Sequence, residues 1–146
     1  MNTWMTGIGS RRRMMGVTLL ELMTVVMVIG ILGAIAIPSY RQYSMRAQRG
    51  EAKAALLRLQ ANQERFYLAN RTYTNDPVQL GFAGGITERA MYTITVAGAD
   101  QDGYIATATP RAGAAIDMTA DAQCTSFSLS ADGVRTATGT LGNDCW

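Results

Sequence analysis

The chain has 146 residues, a formal charge of +2, two cysteines and no histidine, so it has room for one domain and lacks the donors of a zinc set. The excess charge comes from Arg11, Arg12 and Arg13; without them 10 basic residues face 11 acidic ones, which excludes a general polyanion-binding field. No nucleophile and base set and no cofactor motif stands out, so neither an enzyme nor a bound cofactor or metal is expected.

A basic leader precedes a largely apolar run, Val17 to Ile37, whose one charged residue is Glu21. As a helix its 21 residues span about 32 Å, enough for a hydrocarbon core of about 30 Å. A charged side chain at the bilayer centre costs roughly 3 kcal/mol or more, so Glu21 demands a partner. Three readings of the segment compete. Ala34, Ile35 and Ala36 resemble a secretory cleavage site, but signal h-regions are shorter, about 7 to 15 residues, and have no use for an acid. Ser10 to Met15 approximates a twin-arginine signal, which leaves Glu21 equally unexplained. A plain anchor with the arginines in the cytoplasm is the third. Gly30, Gly33 and Ala34 permit close helix approach, although glycine is common in membrane helices generally.

Pro38 lacks a donor and clashes with the preceding turn, predicting a kink or local melting near Ala34 to Tyr40. From Gln42 to Asn70 the helical period returns, with Ala52, Ala55, Leu56, Leu59, Gln63, Phe66 and Asn70 on one stripe. Arg46, Arg49, Lys53, Arg58 and Arg65 lie off it and read as a solvated face with Glu51 and Glu64 as counter-charges. A sharper reading puts them on phospholipid headgroups or on acidic faces of neighbouring subunits.

Arg71 to Arg89 reads as an irregular connection over a sheet edge; its glycines lack the setting of a phosphate loop. Alternation then predicts strands over Tyr92–Val96, Tyr104–Thr109, Thr125–Ser130 and Val134–Thr138. A helix followed by four short strands is an α+β domain. Asp100 and Asp102 are too few for a calcium site and suit a hairpin turn. Cys124 and Cys145 read either as a disulfide in an oxidising compartment or as two buried thiols.

Gly16, Val17, Thr18, Leu19, Leu20, Glu21 and Leu22, continued by Gly30, Gly33, Pro38, Ser39 and Tyr40, resemble the processing motif and first helix of the type IV pilins, with Val17 where Phe is usual. The resemblance implies cleavage between Gly16 and Val17 by prepilin peptidase, N-methylation of Val17, a subunit-assembly role for Glu21 and a helix kink at Pro38. It implies a leader over 1–16, a transmembrane and filament-core helix over 17–40, and a periplasmic globular domain over 41–146. The expected architecture is the type IV pilin fold, a long helix on a roughly four-stranded antiparallel sheet closed by a Cys124–Cys145 region. The Asp144, Cys145, Trp146 ending, with Tyr67, Thr72 and Tyr73, looks most like the PilE-type minor pilins. The function so implied is a minor pilin, joining other pilin subunits after residence in the inner membrane and supporting assembly, twitching motility and adhesion. Alternatives are a DNA-uptake receptor, for which Arg71, Arg89, Arg111 and Arg135, with Tyr73 or Tyr92, would have to gather into one patch, and a major pilin or type II secretion pseudopilin.

Overall fold

A computed structural model describes residues 17–114 and 116–146. The leader, including Gly16, lies outside the described residues. The chain falls into two compact units, one ending at Ser39 and one running from Tyr40 to Trp146.

The first helix, α1, runs Leu19–Asn70. Thr18 starts it with the first half of a capping box: its Oγ1 accepts the Glu21 N–H at 3.2 Å, satisfying a donor that the first turn would otherwise leave free. The expected local melting at Pro38 does not occur, and helical backbone continues on both sides. Proline deletes a single ladder bond, and its neighbours carry the helix across. Up to Ile37 the apolar side chains stand exposed, Leu19 by 77% and Ile35 by 65%, and this is the one helix among the described residues long and apolar enough to cross a membrane.

In the globular unit the predicted stripe is buried from Ala52 to Gln63, while Phe66 is half-buried and Asn70, in the last turn, is exposed. Ala52, Ala55, Leu56, Leu59 and Gln63 face the core, at spacings of three and four residues. Gln63 earns its buried place through its amide: Nε2 donates to Thr74 O at 2.7 Å while Oε1 accepts the Thr74 N–H at 3.1 Å. Both polar ends are satisfied, and the residues after the helix are drawn back along it. Arg71 ends α1 in the left-handed region (φ 62°), its N–H reaching Tyr67 O at 2.7 Å.

The sheet consists of β1 (Tyr92–Ala97), β2 (Ile105–Pro110), β3 (Ser126–Ser130) and β4 (Arg135–Thr138), antiparallel in the order β1-β2-β3-β4. Tyr92, Ile94, Ala106, Ala108, Phe127 and Leu129 point inward onto Leu56 and Leu59. The opposite face is uncharged and hydroxylic, and one rung crosses all four strands, Thr95↔Thr107↔Ser128↔Thr136. A second carries Thr93↔Thr109 and Ser126↔Thr138. The exposed edge of β1 is partly covered where Ile86 bridges Thr93.

Cys124 and Cys145 form a disulfide with Cα atoms 5.9 Å apart, closing the C-terminal region as the pilin fold implied. In the chain-entropy account a loop of this length stabilises by roughly 3 kcal/mol. Gly139 makes the closure possible, because a Cβ there would fall 2.3 Å from Gln123 O. Trp146 finishes the layer, its indole N–H on Thr136 O at 2.7 Å and its ring edge-on to Phe127.

Candidate assembly and binding surfaces

Glu21 sits in the first turn of α1, where a carboxylate complements the positive end of the helix dipole. Its backbone is tied to Thr18 and, through its carbonyl, to the Thr24 hydroxyl at 2.8 Å. The side chain is exposed within an apolar surface, and Val17 immediately precedes the cap. The Thr18-x-x-Glu21 spacing is also that of a capping box and marks a helix start.

The four arginines proposed to gather do not form one patch. Arg89 and Arg111 share an end of the sheet, since the Arg111 N–H bonds Met91 O at 2.8 Å beside the β1–β2 ladder. Arg71 lies at the opposite end, near the β1–β2 turn, where the Tyr73 N–H reaches Asp100 O at 2.9 Å. Arg135 is on the far edge strand, its guanidinium 5.5 Å from the Trp146 ring centre. Tyr92 is fully buried and cannot stack on a base, because its ring completes the core between helix and sheet. Tyr73 remains half-buried, tilted against Tyr67 and edge-on to Tyr104, with ring centres 4.7 and 4.9 Å apart.

Arg49 is the largest departure from the solvated-face expectation. It is 7% exposed, and its Nε and Nη2 donate to Asp121 Oδ2 and Oδ1 at 2.7 and 2.8 Å, with a further Nη2 bond to Gln123 Oε1 at 2.8 Å. Asp121 Oδ1 also accepts the Gln123 N–H at 3.2 Å, so one carboxylate couples α1 to the loop that leads into Cys124. The planar guanidinium suits this two-pronged pairing, and the geometry supplies what two desolvated charges require. The other expected counter-charges are also reassigned: Arg58 pairs with Glu88, Glu51 accepts the Arg89 N–H at 3.1 Å, and Glu64 receives the Tyr73 hydroxyl at 3.1 Å. Asp100 makes turn bonds, Oδ1 accepting from Asp102 and Gly103 N–H at 2.8 and 3.0 Å.

Two core phenols, Tyr92 and Tyr104, have no hydrogen-bond partner among the described residues. Burial raises the pKa of both far above the ordinary tyrosine value, with Asp121 adding to the shift at Tyr92 and Glu64 at Tyr104. Their folded-state values lie above the unfolded value of about 10, so the stability they contribute is full below pH 10 and falls as pH rises beyond it. Thermal midpoints measured from pH 8 to 12 should therefore drop above pH 10. The Tyr92→Phe, Tyr104→Phe pair should flatten that decline, and an unchanged decline would clear the two phenols of responsibility.

Residues 38–132 match the family described as type IV minor pilin ComP, DNA uptake sequence receptor. The chain is 39% identical over 85 residues to the type IV major pilin protein PilA of Myxococcus xanthus, covering 58% of this chain and 39% of that protein. It is 34% identical over 77 residues to the type IV major pilin protein PilE of Neisseria gonorrhoeae, covering 53% and 46%. Among solved structures, the non-core minor pilin PilV of Neisseria meningitidis superposes with a TM-score of 0.51 at 22% identity, over 67% of this chain and 90% of that one, a likeness of fold. The helix, the four-stranded antiparallel sheet and the disulfide define a type IV pilin fold. The chain belongs to the ComP family of type IV minor pilins. Its matches to these two relatives span less than half of their length.

Proposed function

We propose that this chain is a minor pilin subunit that enters the bacterial inner membrane as a single-pass protein with its N-terminus in the cytoplasm. Prepilin peptidase cuts after Gly16, Val17 is N-methylated, and the subunit passes with other pilins into an extracellular type IV pilus that supports twitching motility and adhesion. In this reading 1–16 is leader, 17–40 the membrane and filament helix, and 41–146 the periplasmic domain. Pro38 marks the passage between the last two. The reading assigns a structural role, with no catalytic residue and no cofactor. The observation that carries it is the exposed apolar surface from Val17 to Ile37 with Glu21 in its first turn. Cleavage creates a cationic amine at Val17, and the Glu21 carboxylate of a neighbouring subunit is its natural counter-charge in an apolar setting. Mass spectrometry of the mature chain tests this: N-methyl-Val17 is expected, whereas Ile37 as first residue or an intact Met1 would remove it.

A second reading, display of a DNA receptor on the same filament, is favoured by the family match over 38–132. Arg89 and Arg111, which share one end of the sheet, are the pair placed to act together on a phosphate backbone. Titration of the full chain in mild detergent with duplex DNA should give an affinity that falls with salt, losing roughly 0.9 in logarithmic slope per phosphate contact. Arg89→Gln with Arg111→Gln should flatten the slope by about 2, and binding insensitive to salt would end the proposal.

A further inference from the structure

Four exposed arginines share one end of the globular unit. At the end where its helix begins, Arg41, Arg46 and Arg111 are exposed and have no ion-pair partner among the described residues. Arg89 joins them, held at this level by its Nη1 bond to Gln48 Oε1 at 2.7 Å while its side chain stays 60% exposed, with Nε 4.0 Å from Glu51. The acids here are mostly occupied: Asp121 by Arg49, Glu51 by the Arg89 N–H and Glu88 by Arg58, while Asp117 turns onto Thr119 and Asp144 stands at the surface. Glu64, Asp100, Asp102 and Asp132 lie exposed toward the other end, beside the strand turns, with Arg71 exposed among them. Tyr40 and Tyr43 flank Arg41 at 73% and 74% exposure and follow the apolar run directly in sequence. Exposed tyrosines just past an apolar span match the aromatic belt that forms at either membrane–water interface.

We infer that this end of the globular unit is a lipid-docking face, on which Arg41, Arg46, Arg89 and Arg111 engage the phosphates of anionic headgroups while the subunit resides in the membrane. The inference rests on the membrane reading of the apolar run proposed above. It adds a retention step: the headgroup contacts must be released before a subunit can leave the bilayer for a filament. Each arginine near an anionic surface changes partitioning by roughly fivefold, so Arg89 and Arg111 together account for a factor of roughly twenty-five.

The full chain is reconstituted in vesicles of phosphatidylcholine alone or mixed with phosphatidylglycerol, and amide exchange is followed at Glu88–Met91 and Arg111–Gly113. Exchange is expected to slow by tenfold or more in the anionic vesicles. It should return to the neutral-lipid rate in the Arg89→Gln, Arg111→Gln variant and in high salt, while amides of β3 keep their rates as a check on folding. Equal exchange in the two lipids overturns the docking face. So does protection that grows with protein density and is lost in Asp100→Asn, Asp102→Asn, which would signify contact between copies. Retention of the chain through an alkaline carbonate wash, with exchange indifferent to lipid charge, removes the docking face and leaves the anchor standing; release by the wash overturns both.

Discussion

Asp121→Ala is expected to destabilise the globular unit by about 3–5 kcal/mol, the range for stranding one member of a buried ion pair. The loss has two sources. Arg49 would keep its charge inside a site 7% exposed with only Gln123 left to receive it, and the Gln123 and Cys124 amides would lose the carboxylate that orders them. Urea unfolding of the full chain in mild detergent measures it; with a slope of about 1–3 kcal/mol per molar, the midpoint should fall by more than about 1 M. Arg49→Met combined with Asp121→Leu should recover most of the deficit, because an apolar pair of similar volume leaves no uncompensated charge. Strict additivity of the two single losses would show that the pair does not act as a unit.

Glu21→Gln is expected to leave cleavage after Gly16 intact and to reduce incorporation into filaments tenfold or more. The substitution is chosen for what it preserves. Glutamine serves a capping box as glutamate does, and the Thr18 bond is made by the backbone of residue 21, so the helix start survives. Only the charge is lost, and with it the counter-charge for a neighbour's Val17 amine. A tenfold deficit corresponds to about 1.4 kcal/mol, modest for an ionic partner in an apolar setting. Quantifying the subunit in sheared filaments against its level in membranes reads the outcome; undiminished incorporation would assign Glu21 to helix initiation alone.

The elements were readable where a period persists. Ala52, Leu56, Leu59 and Gln63 marked the buried stripe, and the Thr-x-Thr and Ser-x-Ser alternation marked the strands, which begin or end within a residue of the expected positions. Arg49 escaped because an arginine among Arg46, Lys53 and Arg58 reads as solvated, and its partner lies 72 residues away in an aperiodic loop. A signal was there: Arg49 stands three residues before Ala52 and so extends the apolar stripe, and a charge on a stripe implies a buried partner. Tyr92 was misplaced among the surface aromatics although its alternation with Thr93 already put it on the core side of β1. The four arginines could not be sorted by sequence at all, since strand register and the direction of each hairpin decide which end receives them.

The hydroxyl rungs of the sheet have a consequence for how this subunit can diversify. Thr95, Thr107, Ser128 and Thr136 stand in register on the outward face, and Thr107 and Ser128 share a bond at 3.1 Å. Their neighbours Ile94, Ala106, Ala108, Phe127 and Leu129 do the folding from the other side of the same strands. Folding is thus written on alternate letters, so the outward letters can be rewritten for a new surface while the fold is left as it stands.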